Sequence, residues 1–274
     1  MYKLVALDLD GTLLNNDHKI PLKNIKVIDT LKNRGVHFVI VTGRSDIMTK
    51  HIVEELGIVA PILGNNGASI RNVFTKELLH LSSLSLDIVE KLHLYFQKNN
   101  SYARWYGLDD VYSFNQNEFD ETQNPYAKFS KILAKSMRFV VLEHFADLKK
   151  LDPTILRCMF VTENTSKLPS VHKELSELVN AEVFKTSKTS LDIVAKNTSK
   201  GNALISYGKS IKISPYQMIA IGDGGNDISM LQAVGMPVTL NNGDPELKAI
   251  AKLVTKGSNN EAGVGEALIE IFDL

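Results

Sequence analysis

The sequence has few of the features that mark secreted, membrane-spanning or nucleic-acid-binding proteins. It contains one cysteine, Cys158, which rules out an internal disulfide and predicts a reducing, cytoplasmic environment. No apolar run reaches the ~18 residues that a membrane helix needs. The apolar start of the chain is broken by Asp8 and Asp10 before the core of a signal peptide could form. Lys and Arg together number 31, as do Asp and Glu, so we expect neither nucleic acid nor an anionic membrane as a partner.

Two carboxylates stand at the end of the first apolar run. The run from Leu4 to Leu7 is too short for a helix, lacks turn residues, and is typical of a strand buried on both faces of a parallel sheet. Asp8 and Asp10 follow it, and Gly11 lets the chain leave the strand at once. Open α/β sheets bind ligands at this end of their strands. Because two close carboxylates repel each other, we expect a hard divalent cation there, with Mg²⁺ the first candidate.

The chain of 274 residues is long enough for two moderate domains. Near both ends of the chain, short apolar runs alternate with helical patterns, which predicts an α/β fold with a Rossmann-like, doubly wound parallel sheet. In the middle, a hairpin around 107–110 and further short strands are mixed with helices, which is typical of an α+β unit. We therefore assign 1–82 and 190–274 to a discontinuous core and 83–189 to an inserted domain. The segment 117–137 has no clear period and receives no assignment.

Three further polar sets follow predicted strands or begin helices of the core, and they are Thr42-Gly43, Lys200, and Asp223 with Asn226 and Asp227. With the string Asp-Leu-Asp-Gly-Thr-Leu at 8–13, they have the order and chemistry of the four motifs of the haloacid dehalogenase-like phosphohydrolases. The chain resembles the Cof-type phosphatases of that superfamily over its whole length. The resemblance includes Asn65-Asn66-Gly67-Ala68 before the insert and Ser199-Lys200-Gly201 after it.

The resemblance implies a Mg²⁺-dependent phosphatase of small phosphate esters that works through an aspartyl-phosphate. Asp8 would be the nucleophile, and Asp10 would protonate the leaving alcohol and then deprotonate the attacking water. The remaining roles implied are phosphate binding by Leu9, Thr42, Gly43, Lys200 and Asn226, and metal binding by the Asp8 side chain, the Asp10 carbonyl and the Asp223 side chain. Asp227 would orient Lys200 or a metal-bound water.

The inserted domain resembles the cap of that family, and we expect it to carry substrate selectivity, because the core motifs contact a phosphoryl group that all candidate substrates share. Arg104, Tyr106 and Arg157 are candidates for that role. Two other functions remain open at this point. A sugar phosphomutase shares the nucleophile but returns the phosphoryl group to the sugar. A non-catalytic metabolite-binding regulatory module is disfavoured, because such a module needs no nucleophile with an acid two residues further on.

Overall fold

The apolar run after Lys3 forms strand β1 (Leu4–Leu7). The computed structural model describes residues 2–274. In it, β1 pairs in parallel with strand β2 (His37–Ile40) on one side and with β12 (Met218–Gly222) on the other. Strands β13 (Met236–Thr239) and β14 (Leu253–Val254) extend the sheet beyond β12, giving the order β14-β13-β12-β1-β2. All of these strands are parallel, so their carboxyl ends meet at one edge of the sheet.

The side chains of β1 explain why the chain is organised around it. Val5 and Leu7 belong to the hydrophobic cluster on one face of the sheet, and Leu4 and Ala6 belong to the cluster on the other face. All four side chains are fully buried. The prediction of a strand buried on both faces is therefore confirmed. Six helices belong to the same part of the chain, and they are α1 (Leu22–Asn33), α2 (Lys50–Glu55), α7 (Lys200–Ser210), α8 (Ile228–Gln232), α9 (Pro245–Ile250) and α10 (Gly263–Phe272).

The strand that follows α2 belongs to a different sheet from β1. Strand β3 (Ile62–Gly64) pairs antiparallel with β4 (Ser69–Arg71), and β5 (Leu78–Leu81) completes a sheet of three strands. A single parallel bridge between Val41 and Leu63 links β3 to the end of β2. The chain reverses after β3 because Asn65 and Asn66 both adopt positive φ, at 51° and 56°. A pattern of strand and helix alternation does not report such a reversal, since it depends on left-handed backbone at two asparagines.

The chain divides into two units, one running through His80 and resuming as Ser199–Leu274, and the other comprising Leu81–Thr198. The second unit contains helices α3 (Leu86–Lys98), α4 (Ala127–Leu133), α5 (Phe145–Leu151) and α6 (Leu168–Leu178), and strands β6 (Tyr102–Tyr106), β7 (Asp110–Ser113), β8 (Arg138–Val141), β9 (Arg157–Val161), β10 (Ala181–Lys185) and β11 (Ser190–Ala195). Its sheet has the order β10-β11-β9-β6-β7-β8. The β6–β7 hairpin is antiparallel, as predicted, and Trp105 lies in the hydrophobic core of this unit.

The boundary after the insert lies later in the chain than the predicted residue 190. Strand β11 pairs antiparallel with β9 and β10, so it is part of the second unit's sheet. Its apolar pattern resembles that of a core strand, because it too is buried, and a short apolar run does not encode which sheet it joins.

Within the part of the chain that the structure describes, no helix is both long and apolar enough to cross a membrane.

A buried polar network accounts for the segment 117–137, which lacked a period. Arg104 donates to Glu118 Oε1 from Nε at 3.0 Å and from Nη2 at 2.8 Å, and both side chains are fully buried. Ser113 Oγ donates to Glu118 Oε2 at 2.6 Å, and Ser130 of α4 also bonds to Glu118. These contacts make Arg104 part of the unit's own structure. Periodicity misses such a segment because it is held by paired charges and not by an apolar stripe.

Candidate active site

Asp8 directly follows β1. Its N–H donates to the Ile221 carbonyl at 3.0 Å, which continues the pairing with β12 by one residue. Gly11 then adopts a φ of +79°, a conformation that favours glycine. A Cβ at Gly11 would also collide with the carboxylate of Asp223. Glycine is therefore required here on two counts, and the turn it allows takes the chain close past the Asp223 carboxylate.

A buried lysine lies between two carboxylates at this edge of the sheet. Lys200 Nζ, at the start of α7, donates to Asp8 Oδ1 at 2.6 Å and to Asp227 Oδ1 at 2.5 Å. Lys200 and Asp227 are each only 1% exposed, and Asp8 is 5% exposed. The three side chains come from distant parts of the chain and form one hydrogen-bonded group. Burial on this scale is rare for charged residues unless they are paired, as they are here.

Electrostatics in the group favour a cation. Burial raises the pKa of Asp8 well above its ordinary value, and repulsion by Asp227 raises it further, against the opposing effect of Lys200. Burial alone would lower the pKa of Lys200, but Asp227 and Asp8 outweigh it and raise that pKa, so the ammonium stays charged. The positive charge of Lys200 therefore does not cancel the effects of burial and of the neighbouring carboxylates on the pKa of Asp8.

Asp223 lies beside this group at the end of β12. Thr12 Oγ1 donates to Asp223 Oδ1 at 2.6 Å. The N–H groups of Asp223 and Gly224 both donate to Asp227 Oδ2 at 3.0 Å, so Asp227 fixes the loop that carries Asp223. Burial, followed by repulsion from Asp227, raises the pKa of Asp223 to about 7. Asp223 is thus, after Asp8, a second carboxylate whose negative charge is disfavoured by its surroundings.

The donor set fits a divalent cation. Asp8, Asp223 and Asp227 each offer a carboxylate oxygen, and these atoms lie within 4.8 Å of one another. Such oxygens are the ligands of hard divalent ions, and a cation would stabilise the ionised forms of Asp8 and Asp223, which burial and the neighbouring carboxylates disfavour. The Asp10 side chain is not part of this group. The metal contact predicted for Asp10 involves its backbone carbonyl and stays a prediction.

The predicted phosphate-binding residues after β2 lie next to the loop after β12. Thr42 is 1% exposed, and its hydroxyl accepts a hydrogen bond from the Arg44 N–H at 3.1 Å. A Cβ at Gly43 would lie 3.1 Å from Asn66 Oδ1 and 3.6 Å from Asn226 Nδ2. Asn226 Nδ2 in turn donates to Asn66 Oδ1 at 2.9 Å. The structure therefore brings Gly43 and Asn226 together through Asn66.

Leu9 and Asp10 point in different directions from the turn after β1. The Leu9 side chain is fully buried in the hydrophobic core, so only its backbone is available for the predicted phosphate contact. The Asp10 side chain is 50% exposed and accepts two hydrogen bonds from Arg44.

Four residues at this edge received no role from the sequence, and they are Thr12, Arg44, Asn66 and Asn242. Thr12 and Asn66 lie within the strings Asp-Leu-Asp-Gly-Thr-Leu and Asn65-Asn66-Gly67-Ala68, and Arg44 directly follows Thr42-Gly43, so the positions of these three were known but their partners were not. Asn242 Nδ2 donates to the Gly11 carbonyl at 2.7 Å across 231 positions of sequence. No local sequence pattern indicates a contact between residues so far apart in the chain.

Comparison with known proteins agrees with this geometry. A family model described as haloacid dehalogenase-like hydrolase matches residues 5–268. Phosphatase YwpJ of Bacillus subtilis (strain 168) is 27% identical over 285 residues, covering 97% of this chain and 98% of that protein.

Solved structures extend the likeness to the fold. A haloacid dehalogenase-like hydrolase from Bacteroides thetaiotaomicron has a TM-score of 0.81 and 29% identity, covering 99% of this chain and all of that one. One from B. subtilis has a TM-score of 0.84 and 26% identity, covering 97% and 98% of the two chains. With the family model matched over nearly the whole sequence, the chain belongs to the haloacid dehalogenase-like hydrolases, in their Cof-type phosphatase branch.

Proposed function

We propose that the chain is a Mg²⁺-dependent phosphatase of small phosphate esters that works through a phosphorylated Asp8. The observation that carries this proposal is the buried group at the end of β1, where Lys200 holds Asp8 at 2.6 Å beside Asp223 and Asp227. Phosphoryl transfer needs a fixed nucleophile and concentrated positive charge more than elaborate covalent chemistry. Sugar phosphates, nucleotides, flavin mononucleotide and pyridoxal phosphate are the candidate substrates.

In the first step, an oxygen of Asp8 attacks phosphorus, and the bond from phosphorus to the leaving oxygen breaks. Asp10 gives a proton to that oxygen, so that an alcohol leaves instead of an alkoxide. Lys200 keeps Asp8 in position and places a positive charge near the transferring group. Thr42, Gly43 and Asn226 hold the phosphoryl oxygens through hydrogen bonds.

In the second step, water attacks phosphorus in the aspartyl-phosphate. Asp10, left deprotonated by the first step, takes the proton from that water, and the bond between phosphorus and Asp8 breaks to release phosphate. One residue therefore serves as acid and then as base, and Asp8 is regenerated as a carboxylate. Asp8, Asp223 and the Asp10 carbonyl would hold Mg²⁺, which when bound neutralises negative charge on the phosphoryl group and the carboxylates.

The proposal is tested by measuring phosphate release from a panel of the four substrate classes, with and without chelator. We expect release from at least one ester, its loss in chelator, and its recovery when Mg²⁺ is added back. Ca²⁺ should support activity poorly, because it takes more and longer oxygen ligands than Mg²⁺ and would allow both oxygens of Asp8 to bind the metal.

Two outcomes would contradict the proposal. Full activity in excess chelator would rule out the metal. Conversion of a hexose 1-phosphate to its 6-phosphate, with no free phosphate, would indicate a mutase.

We also propose that the unit Leu81–Thr198 determines which ester is hydrolysed. The support is that the core motifs, as assigned above, contact only the phosphoryl group. The test is a chimera that carries the corresponding segment of phosphatase YwpJ. We expect the order of preference among the panel to follow the donor of the segment, while hydrolysis of p-nitrophenyl phosphate is retained and shows that the chimera is folded. An unchanged order in a chimera that retains this hydrolysis would place selectivity in the core.

A further inference from the structure

Arg44 holds both side-chain oxygens of Asp10. Its Nε donates to Asp10 Oδ2 at 2.7 Å, and its Nη2 donates to Oδ1. A two-point contact between a guanidinium and a carboxylate fixes the plane and the direction of the carboxylate, which one hydrogen bond does not. The pair also joins the turn after β1 to the turn after β2, across 34 positions of sequence.

Arg44 is the better-fixed member of the pair. Its N–H donates to Thr42 Oγ1 at 3.1 Å, and its carbonyl accepts from the Asn65 N–H at 2.9 Å. Its side chain is 23% exposed, whereas that of Asp10 is 50% exposed. His18 Nδ1 also lies 3.7 Å from Asp10 Oδ1, on a side chain that is 74% exposed. The guanidinium is therefore the group that orients the carboxylate.

We propose that Arg44 is a positioning residue that aims Asp10 at the leaving-group oxygen. The inference rests on the proposed function, in which Asp10 donates a proton and later accepts one. The two hydrogen bonds from Arg44 use one lone pair on each oxygen of Asp10 and leave another on each, so proton transfer remains possible while the direction is fixed. An ion pair this exposed contributes little to stability. Its effect is expected on the rate, which falls steeply when a catalytic group is misplaced.

The test compares two kinds of leaving group in the Arg44→Ala protein. An alkyl phosphate such as a sugar phosphate releases a strongly basic alkoxide that needs a proton, whereas p-nitrophenolate leaves without one. We expect kcat/KM, which reports the first step, to fall by about 10- to 100-fold for the alkyl phosphate and by less than about threefold for p-nitrophenyl phosphate. The Arg44→Lys protein should recover little, because an ammonium cannot form the two-point contact.

A double variant separates positioning from direct substrate binding. If Arg44 acts through Asp10, then adding Arg44→Ala to Asp10→Asn changes kcat/KM for the alkyl phosphate by less than about twofold. A further loss as large as in the wild-type background would overturn the proposal and indicate that Arg44 contacts substrate. An equal loss for both leaving groups in the single variant would overturn it as well.

The matched control is Arg138→Ala. Arg138 makes the same kind of two-point contact, donating to Asp110 at 2.7 Å from both nitrogens, but in the second unit and on a side chain that is 67% exposed. The Arg138→Ala protein should have unchanged kcat/KM values for both phosphates, and thermal unfolding should show that both arginine variants are folded.

A wild-type protein that hydrolyses no ester would refute the proposed function itself. An active wild-type protein with a uniform loss in Arg44→Ala refutes only the role of Arg44.

Discussion

Replacing Asp8 with Asn is expected to reduce phosphate release by at least about 10⁴-fold, as the loss of a nucleophile does in other hydrolases. The amide is nearly the same size as the carboxylate but cannot attack phosphorus or carry the phosphoryl group. The measurement is kcat with saturating substrate and Mg²⁺, for the best ester of the panel.

The substitution should leave the fold intact. Burial and Asp227 raise the pKa of Asp8, which means that its charged form is disfavoured in the folded protein, and Lys200 keeps Asp227 as a partner. We therefore expect a melting temperature equal to or higher than that of the wild type. Asp17→Asn, an exposed position in the same loop, is the control and should keep full activity. Substantial activity in Asp8→Asn would rule out the covalent mechanism.

Replacing Lys200 with Met is expected to reduce both activity and stability. Met fills much of the same volume but leaves Asp8 and Asp227 buried without their ammonium partner. Removing one member of a buried ion pair costs about 3–5 kcal/mol of unfolding free energy. The free energy should be measured by urea denaturation at neutral pH in chelator, so that no metal replaces the lost charge. We expect kcat to fall by at least about 10²-fold, comparable to the loss of one electrostatic contact to the reacting group.

Lys209→Met provides the control for that experiment. Lys209 lies on the same helix, α7, and is exposed, so its loss should change neither the unfolding free energy nor the rate. If Lys200→Met were as stable as Lys209→Met, the pairing seen at Lys200 would not contribute to the folded state.

The site residues that could be predicted from the sequence are mainly those that closely follow the end of a strand. Asp8 and Asp223 directly follow strands β1 and β12, and Thr42 lies two residues beyond β2. Parallel strands put such residues at one edge of a sheet whatever the details of packing. Lys200 was found because it begins a helix after the insert, in a string that resembles a known motif. The structure brings Lys200 to Asp8 across 192 positions of sequence.

The contacts that could not be predicted join long or polar side chains whose conformations the sequence pattern does not determine. The pairing of Arg44 with Asp10 requires a particular path of a flexible side chain, and the bond from Thr12 to Asp223 joins residues 211 positions apart. In the fold, β11 was assigned to the wrong unit because a short apolar strand does not encode its partner strand. Helix α4 was missed because its segment is anchored by Glu118, a buried charge that periodicity reads as surface.

The covalent phosphorylation of Asp8 is the central claim, and it can be measured directly. The protein is mixed with its best substrate and Mg²⁺, quenched in acid within milliseconds, digested, and analysed by mass spectrometry. We expect one phosphoryl group on the peptide that contains Asp8. With p-nitrophenyl phosphate, whose leaving group needs no proton, we expect a larger fraction of it in Asp10→Asn, where the base for the second step is missing. Phosphate release at the wild-type rate, with no phosphoryl group on this peptide in either protein, would rule out a covalent intermediate at Asp8.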